Sequence, residues 1–308
     1  MEKLKAVIIM LICTAVIAAA GCSTANNKEP DVTEIPKLKI GVMPAADSAP
    51  IFLAEEKGYF KELGLDAEIQ VYTNAANRQS ALQSGELDGA MVDLIAFVNN
   101  VHNGFDIKIT TSTDGSFPFL VNKDFTEKKN IKVGMMEVSV TNFLSEEYLG
   151  DKYEMEKVYI NEIPARLEMI KAGNLDMANI PEPMASMGEL NGLKKVVYEN
   201  KDDFMPEAMA FTGKALKEKE KAIELFHRAF DKAVDDINSD DTFAREVLIE
   251  KLQLKPEIKD KIILPVYHKT RLPDEAYIRK IVEWVEKIQN IKVNVKYDDM
   301  IEGKFINQ

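Results

Sequence analysis

The chain has 308 residues and a formal charge of −12 at pH 7, from 51 acidic and 39 basic residues. This length allows one large domain or two medium ones, and the hydrophobic content of 46% is sufficient for a sizeable core. The acidic balance, without a basic cluster to neutralise phosphates, argues against nucleic acid as a partner.

The first segment predicts export. Two lysines precede an apolar run, residues 6–20, which ends in small residues as in a secretory signal peptide. The cysteine that follows, Cys22, resembles the lipid-attachment site of bacterial lipoproteins, so we expect residues 1–21 to be removed and Cys22 to carry lipid. An ordinary cleaved signal or a membrane anchor is the alternative, although the run is short for a span of about 20 apolar residues. Residues 22–36 are polar and predict a flexible tether.

Cysteine and histidine usage excludes several chemistries. Cys13 and Cys22 both belong to the predicted leader, so the rest of the chain has no thiol for a disulfide, a zinc site or a nucleophile. His102, His227 and His268 are scattered, without the spacing of a zinc site. No nucleophile–base signature or glycine-rich phosphate loop is present. We therefore expect no metal and no cofactor.

Strands and helices alternate along the first part of the chain. Strands are predicted at residues 38–43, 67–72, 87–92 and 107–112. Helices are predicted at residues 49–57 and 94–100, and a further short one ends at Gly85, which suits a left-handed helix terminus. The extended run 117–121 is predicted to cross from one lobe to another.

The same pattern occurs a second time. Residues 166–178 align with residues 78–90 without a gap, and five pairs are identical: Arg78/Arg166, Gly85/Gly173, Leu87/Leu175, Asp88/Asp176 and Ala90/Ala178. We interpret residues 39–90 and 132–178 as two copies of one strand–helix–strand–helix–strand unit, with chance agreement between two such units as the alternative. Arg78 and Arg166 are candidate anion ligands, but because copies retain scaffold residues, this equivalence favours structural roles for both arginines and both aspartates.

The last part of the chain is mainly helical. A strand is predicted at residues 194–198, and residues 208–212 are expected to carry the chain back to the first lobe. Helices are predicted at residues 217–238, 244–252 and 275–289, the last with Trp284 on its apolar side, where a core role is expected. The alternation of strands and helices predicts an α/β fold with mostly parallel sheets, in which ligands lie beyond the carboxyl ends of the strands.

Four stretches of the sequence resemble the solute-binding proteins of bacterial ABC importers, and in particular the binders of aliphatic sulfonates, taurine, nitrate and thiamine precursors. These stretches are residues 50–60 with the following Gly64-Leu65, residues 81–90, residues 180–183 and residues 297–300. The resemblance implies a periplasmic-binding-protein type II fold with two crossing segments. Lobe one would contain residues 37–120 and 210–308, and lobe two residues 121–209. The resemblance also implies a lipid-anchored, extracytoplasmic and non-enzymatic protein that closes on a small solute and delivers it to a membrane permease.

The candidate solute-binding residues lie at strand-to-helix loops and at the first crossing. They are Asp47, Ser48, Thr73, Asn74, Asp93 and Phe117 in lobe one, and Ser139, Thr141, Asn142 and Glu182 in lobe two. Simple helix capping is an equally good interpretation of Ser48, Ser139 and Thr141.

The charge of these loops bears on the solute. Asp47, Asp93, Asp114, Glu137 and Glu182 are acidic, and buried carboxylates beside an anion would be costly. This favours a neutral or cationic solute such as an aminopyrimidine. Sulfonate, taurine or nitrate is the alternative, because helix N-termini can bind oxyanions without cationic side chains. A pyrimidine-synthase-like enzyme and a ligand-sensing receptor module are alternatives of other classes, and a monomer is the default.

Overall fold

Two five-stranded sheets organise the residues that the computed structural model describes, which are residues 35–306. The predicted signal peptide, Cys22 and the tether up to residue 34 lie outside the described residues. Within residues 35–306, every helix is too short or too polar to span a membrane.

The strands are β1 (Leu38–Val42), β2 (Ala67–Val71), β3 (Gly89–Asp93), β4 (Ile107–Ser112), β5 (Phe119–Val121), β6 (Asn130–Met135), β7 (Glu154–Tyr159), β8 (Met177–Asn179), β9 (Lys194–Val196) and β10 (Glu207–Thr212). The α-helices are Ala49–Glu56, Tyr59–Glu62, Ala75–Gln83, Leu94–His102, Val140–Leu149, Ile163–Lys171, Met184–Leu190, Gly213–Glu218, Glu220–Ser239, Thr242–Lys251, Glu275–Gln289 and Tyr297–Met300. Short 3-10 helices occupy Ala46–Ser48, Pro256–Lys261 and Gly303–Phe305.

Both sheets have the same topology. The first has the order β2-β1-β3-β10-β4 and the second the order β7-β6-β8-β5-β9. In each sheet the first three strands are parallel, and the fourth, β10 or β5, runs antiparallel to both of its neighbours. The predicted α/β fold class is confirmed. Sheet membership changes at β5 and at β10, close to the predicted lobe limits, while the exact division of the chain into lobes stays a prediction.

Side-chain contacts confirm the internal repeat. Asp88 Oδ2 accepts a hydrogen bond from Lys39 N at 2.8 Å, and Asp176 Oδ2 accepts one from Lys132 N at 2.9 Å. Gly41 and its equivalent in the second sheet each lie under a leucine, where an added Cβ would stand 2.4 and 2.5 Å from the leucine methyl groups. Both aspartates therefore have the predicted structural role, since each links the first strand of its unit to the turn before the third.

One predicted helix is divided. Residues 217–238 were expected to be continuous, but helices Gly213–Glu218 and Glu220–Ser239 meet at Lys219, where φ is −129° and ψ is 25°. The Lys219 ammonium group donates to Asp88 Oδ2 at 2.8 Å and to Lys37 O at 2.7 Å. The break thus places a cation beside the turn before β3 in the first unit rather than along the helix surface.

An apolar cluster joins the two sheets. Val140, Phe143 and Leu144, from the helix that follows β6, pack with residues of the first sheet and of helix Glu275–Gln289. Trp284 is 8% exposed, meets the Phe143 ring edge-on at a centroid distance of 5.7 Å and donates its indole N–H to Glu146. The predicted core role of Trp284 is therefore confirmed, and the same ring also holds the two lobes together on this side.

His227 is an unusual member of the first-lobe core. It is 1% exposed and stacks on Phe305 with a centroid distance of 5.3 Å. Its Nδ1 lies 3.3 Å from Thr270 Oγ1, which itself donates to Asp231, so Nδ1 carries the proton and donates to the hydroxyl. Its Nε2 has no partner among the described residues. Burial lowers the pKa of His227 to about 3.

We expect this histidine to make the protein less stable as the pH falls from about 6.5 towards 3. The unfolded chain binds a proton near pH 6.5, whereas the buried ring of His227 stays neutral until about pH 3. The free energy of unfolding is expected to be about 2 kcal/mol lower at pH 5 than at pH 7. Urea unfolding at both pH values should show a smaller loss in His227→Leu than in the wild type, and an unchanged loss in His102→Gln. Equal losses in wild type and His227→Leu would contradict this assignment.

Candidate functional site

The carboxyl ends of the two sheets approach each other. Ala46, just after β1, donates its backbone N–H to the carbonyl of Glu182, just after β8, at 2.8 Å. Asn74 Nδ2 donates to Glu162 Oε1 at 3.2 Å, and these two residues cap equivalent helices of the two repeat units. The loops in which α/β proteins bind ligands thus face each other across one cleft.

Four charged side chains from the first lobe converge at this cleft. Asp47 lies in the 3-10 helix after β1, Arg78 on helix Ala75–Gln83, Asp93 at the end of β3, and Glu207 at the start of β10. Asp93 and Glu207 are direct cross-strand partners. Asp47 and Arg78 are each 4% exposed and Glu207 is 6% exposed. We call these four residues the charge cluster.

Burial controls the ionisation of the charge cluster. It raises the pKa of Asp47 to about 6, with the Arg78 guanidinium acting in the opposite direction. Burial, together with the charges of Asp47 and Asp93, raises the pKa of Glu207 well above its usual range. Burial also raises the pKa of Asp93 and lowers that of Arg78. Three carboxyl groups face one guanidinium, so the cluster contains more acidic than basic groups, and burial favours the protonated form of these acids unless a cation lies beside them.

Several polar atoms around the cleft have no protein partner. Within residues 35–306, no partner is present for two such atoms on the first-lobe side, Asp47 Oδ1 and Thr113 Oγ1, or for two on the second-lobe side, Asn142 Oδ1 and Asn179 Oδ1. Because buried polar atoms are nearly always hydrogen-bonded in folded proteins, these atoms form a set that a polar solute would complete.

Three predicted residues of the second lobe lie at the start of helix Val140–Leu149. Ser139 caps this helix by accepting from Thr141 N, and Thr141 Oγ1 accepts from Met136 N at 3.0 Å. Asn142 donates from Nδ2 to Glu137 O at 2.6 Å and leaves its carbonyl oxygen available. Capping therefore accounts for Ser139 and Thr141, whereas Asn142 retains a free acceptor.

The predicted residues of the first lobe fall into two groups. Asp93 caps the helix after β3 by accepting from Ala96 N at 2.8 Å, and Ser48 donates to Met43 O at 2.8 Å. Thr73 is exposed and Asn74 is half-buried at the rim of the cleft. Phe117 is also half-buried, and its carbonyl accepts from Asn179 Nδ2 at 2.9 Å. The structure thus brings Asp47 and Asp93 together and leaves Thr73 and Asn74 outside.

Glu182 has a different role from the one predicted. Its side chain is fully buried, and its carboxylate accepts from Lys195 Nζ at 2.6 Å, from Ser186 N at 3.0 Å and from Ile263 N at 3.3 Å. Protein partners therefore occupy the carboxylate, and we no longer place this side chain in the site. Only its backbone carbonyl, bonded to Ala46, lies at the cleft.

The sequence analysis set Arg78 aside and did not identify Glu207. Arg78 was interpreted as structural because it matches Arg166, yet the two have different contacts. Arg166 donates from Nη1 to Asn179 O at 2.9 Å, while the side chain of Arg78 has no hydrogen bond or ion pair with any residue in the described range. The available signal for Glu207 was a single carboxylate at the head of the apolar strand β10.

A separate cavity of about 530 Å³ lies beside the crossing segments and does not include the charge cluster. Three of its charged or titratable residues are paired with each other, since Asp114 accepts from His268 Nδ1 at 3.0 Å and from Arg271 at 3.1 Å. Among residues 35–306, no group of three His, Cys, Asp or Glu side chains is placed to hold a metal ion.

Part of the sequence matches a known family and known proteins. Residues 31–149 match the model of the NMT1-like family. The nitrate import ATP-binding protein NrtC of Synechococcus elongatus is 26% identical over 93 residues, which are 30% of this chain and 13% of that protein. The 4-amino-5-hydroxymethyl-2-methylpyrimidine phosphate synthase THI12 of Saccharomyces cerevisiae is 32% identical over 93 residues, 28% of this chain and 27% of the synthase. The chain therefore spans well under a third of either relative.

Solved structures match over most of the chain. The ligand-binding component of an ABC-type import system from Staphylococcus aureus superposes with a TM-score of 0.73 at 17% identity, covering 88% of this chain and 98% of that one. The periplasmic aliphatic sulphonate binding protein SsuA of Escherichia coli gives 0.72 at 15% identity, with 88% and 96% covered. The periplasmic nitrate-binding protein NrtA of Synechocystis gives 0.64 at 11% identity, with 88% and 92% covered. The resemblance predicted from the sequence is thus confirmed: the chain has the two-lobed fold of periplasmic solute-binding proteins, with an NMT1-like segment at residues 31–149.

Proposed function

We propose that the chain is the extracytoplasmic solute-binding component of an ABC importer. It captures a small solute in the cleft between the two lobes and delivers it to a membrane permease. The observation that carries this proposal is the charge cluster at the facing carboxyl ends of the two sheets, in which Asp47, Arg78 and Glu207 are buried and Asp93 is half-buried. Contacts from both lobes form only when the cleft is closed, so solute favours the closed state.

The excess of acid in the cluster favours a solute with an amino or amidine group, and an aminopyrimidine fits this description. A cation beside Asp47 and Glu207 would favour the ionised form of both carboxyl groups and pair with it. The name of the yeast relative, a pyrimidine phosphate synthase, supports the same class of molecule. The second candidate is a sulfonate, taurine or nitrate, which the names of the structural neighbours SsuA and NrtA support.

We propose binding without catalysis. The chain outside the predicted leader contains no cysteine, and its buried histidine, His227, belongs to the core rather than the cleft. The lipid anchor at Cys22, the lobe limits at residues 120 and 210 and the monomeric state are further parts of this proposal, and they rest on the sequence.

Thermal denaturation of the purified protein with a panel of aminopyrimidines, sulfonates, nitrate and amino acids tests the proposal. A solute that binds only the folded state increases the free energy of unfolding by about 2.7 kcal/mol at a hundredfold excess over its dissociation constant. We expect aminopyrimidines to give the largest shift. A shift with sulfonates alone would favour the second candidate. If mass spectrometry detected chemical conversion of any bound compound, a purely binding role would be contradicted.

Glu207→Gln is expected to weaken the binding of a cationic aminopyrimidine about thirtyfold or more, because it removes one partner of a buried charge pair. Affinity should also decrease as the pH falls below about 6, where Asp47 takes up a proton. Isothermal titration calorimetry at pH 7.5 and pH 5 measures both effects. The exposed Glu199→Gln is the matched control, and an equal affinity in Glu207→Gln and Glu199→Gln would contradict the assignment.

A further inference from the structure

The internal repeat supplies a built-in comparison for Arg78. Arg78 and Arg166 occupy the same position in their units, and the side-chain stem of each passes close to the equivalent glycine, Gly41 or Gly134. Both arginine residues are nearly inaccessible, at 4% and 1% exposure. Arg166 nevertheless donates to the carbonyl of Asn179 at 2.9 Å, while Arg78 finds no acceptor among the described residues. The difference therefore comes from the surroundings of Arg78 and not from its place in the fold.

A guanidinium in this situation is costly. It carries a full charge and five N–H donors, and a buried charge without a hydrogen-bonded partner destabilises a protein by several kcal/mol. The acids of the charge cluster interact with Arg78 through space, but none of their oxygens lies within 4.0 Å of its nitrogens. This separation excludes a direct ion pair, so the guanidinium still needs an acceptor.

We propose that Arg78 is a solute-binding residue and that the solute carries an anionic oxygen group close to its amino group. The inference rests on the proposed function, because it assigns the charge pattern of a solute in the same cleft. The anionic group, a carboxylate, sulfonate or phosphate, accepts from Arg78, which presents paired donors suited to such oxygens. The amino group donates to Asp47, whose Oδ1 has no other partner, and to Glu207. A zwitterion neutralises both parts of the cluster at once.

The electrostatic balance supports this arrangement over a purely anionic solute. An anion alone would satisfy Arg78 and leave three carboxyl groups facing added negative charge. A purely cationic solute would satisfy the acids and leave the guanidinium without an acceptor. Only a solute with both charges completes the buried groups on each side.

Matched probes test the charge pattern. We would measure the binding of 3-aminopropanesulfonate, propylamine and propanesulfonate, and of 4-amino-2-methylpyrimidine-5-carboxylate against 4-amino-5-hydroxymethyl-2-methylpyrimidine. In the propane set each comparison replaces one charged group by hydrogen. In the pyrimidine pair a hydroxymethyl group replaces the carboxylate. The wild-type chain should bind at least one zwitterion about thirtyfold or more tightly than its singly charged or uncharged counterparts.

Substitutions of Arg78 and Arg166 test which arginine causes the preference for a zwitterion. Arg78→Gln should remove the preference for the zwitterion, whereas Arg166→Gln, which changes the equivalent residue of the other unit, should keep it. Arg78→Lys, which retains the charge, should keep part of the preference. Circular dichroism checks the folding of each variant, and Arg78→Lys replaces Arg78→Gln in the test if the latter does not fold. Equal binding of a zwitterion and its amine, or an unchanged preference in both Arg78 variants, would overturn the inference.

Two failures can be told apart. If no zwitterionic probe binds but a neutral aminopyrimidine or nitrate does, the inference about Arg78 is wrong and the proposed function stands. If the wild type binds none of these compounds and none of the wider panel, both are contradicted.

Discussion

Lys195→Met is expected to reduce the free energy of unfolding by about 3–5 kcal/mol, since removing one partner of a buried ion pair leaves the other charge uncompensated. Lys195 and Glu182 have side chains that are 6% and 0% exposed, with Nζ and Oε1 2.6 Å apart. The ammonium group also donates to Ser186 Oγ and to Lys261 O, both at 2.7 Å. Urea denaturation followed by tryptophan fluorescence and circular dichroism measures the change.

Two further variants separate the buried charge from general damage. Lys195→Met combined with Glu182→Gln should recover a large part of the lost stability, because no unpaired carboxylate then remains. Lys129→Met breaks an exposed pair with Glu154, whose side chains are 75% and 60% exposed, and should change stability little. If the double variant is no more stable than Lys195→Met alone, the explanation through the buried carboxylate is wrong.

Phe226→Ala is also expected to cost about 3–5 kcal/mol, the usual range when a large aromatic ring is deleted from a packed core. Phe226 is fully buried on the long helix Glu220–Ser239. It stacks on Phe60 and meets Phe211 edge-on, both at centroid distances of 5.8 Å. Its removal leaves a cavity between the first sheet and two helices, which the surrounding rings cannot fill without leaving their own contacts.

The matched control for Phe226 is Phe243→Ala. Phe243 lies on the neighbouring helix Thr242–Lys251 and is 41% exposed, so truncation removes little buried area. Urea midpoints and slopes of both variants should separate the two positions clearly. A similar loss of stability at Phe226 and Phe243 would contradict the placement of Phe226 in the core.

The elements of the fold could be predicted because local patterns specify them. Residues 275–289 show apolar spacing at a helical period and form the helix Glu275–Gln289. The two repeat units were recognised from shared residues such as Asp88 and Asp176, whose backbone contacts prove to be equivalent. In these cases the determining interactions lie within a short segment or within one repeat unit, so the sequence contains enough information to predict them.

The site could be predicted only in part, because its composition depends on long-range contacts. Asp47 and Asp93 were identified from their place after strands, and both belong to the charge cluster. Glu207 joins Asp93 through a strand that enters the first sheet from far along the chain, and no local pattern indicates that pairing. Glu182 was placed in the site because sequence could not reveal that Lys195 would occupy its carboxylate.

The fourth strand of each sheet also determines the order in which the lobes can fold. The second sheet takes all of its strands from β5 to β9, one continuous segment, whereas the first requires β10 to join β3 to β4. Because synthesis starts at the N-terminus, the strands of the second sheet can all be present before the first sheet is complete. Until Glu207–Thr212 is available, β3 and β4 each present an unpaired edge, which is the kind of surface that recruits other chains. During synthesis, these two edges thus stay open to pairing with other chains until β10 inserts between them.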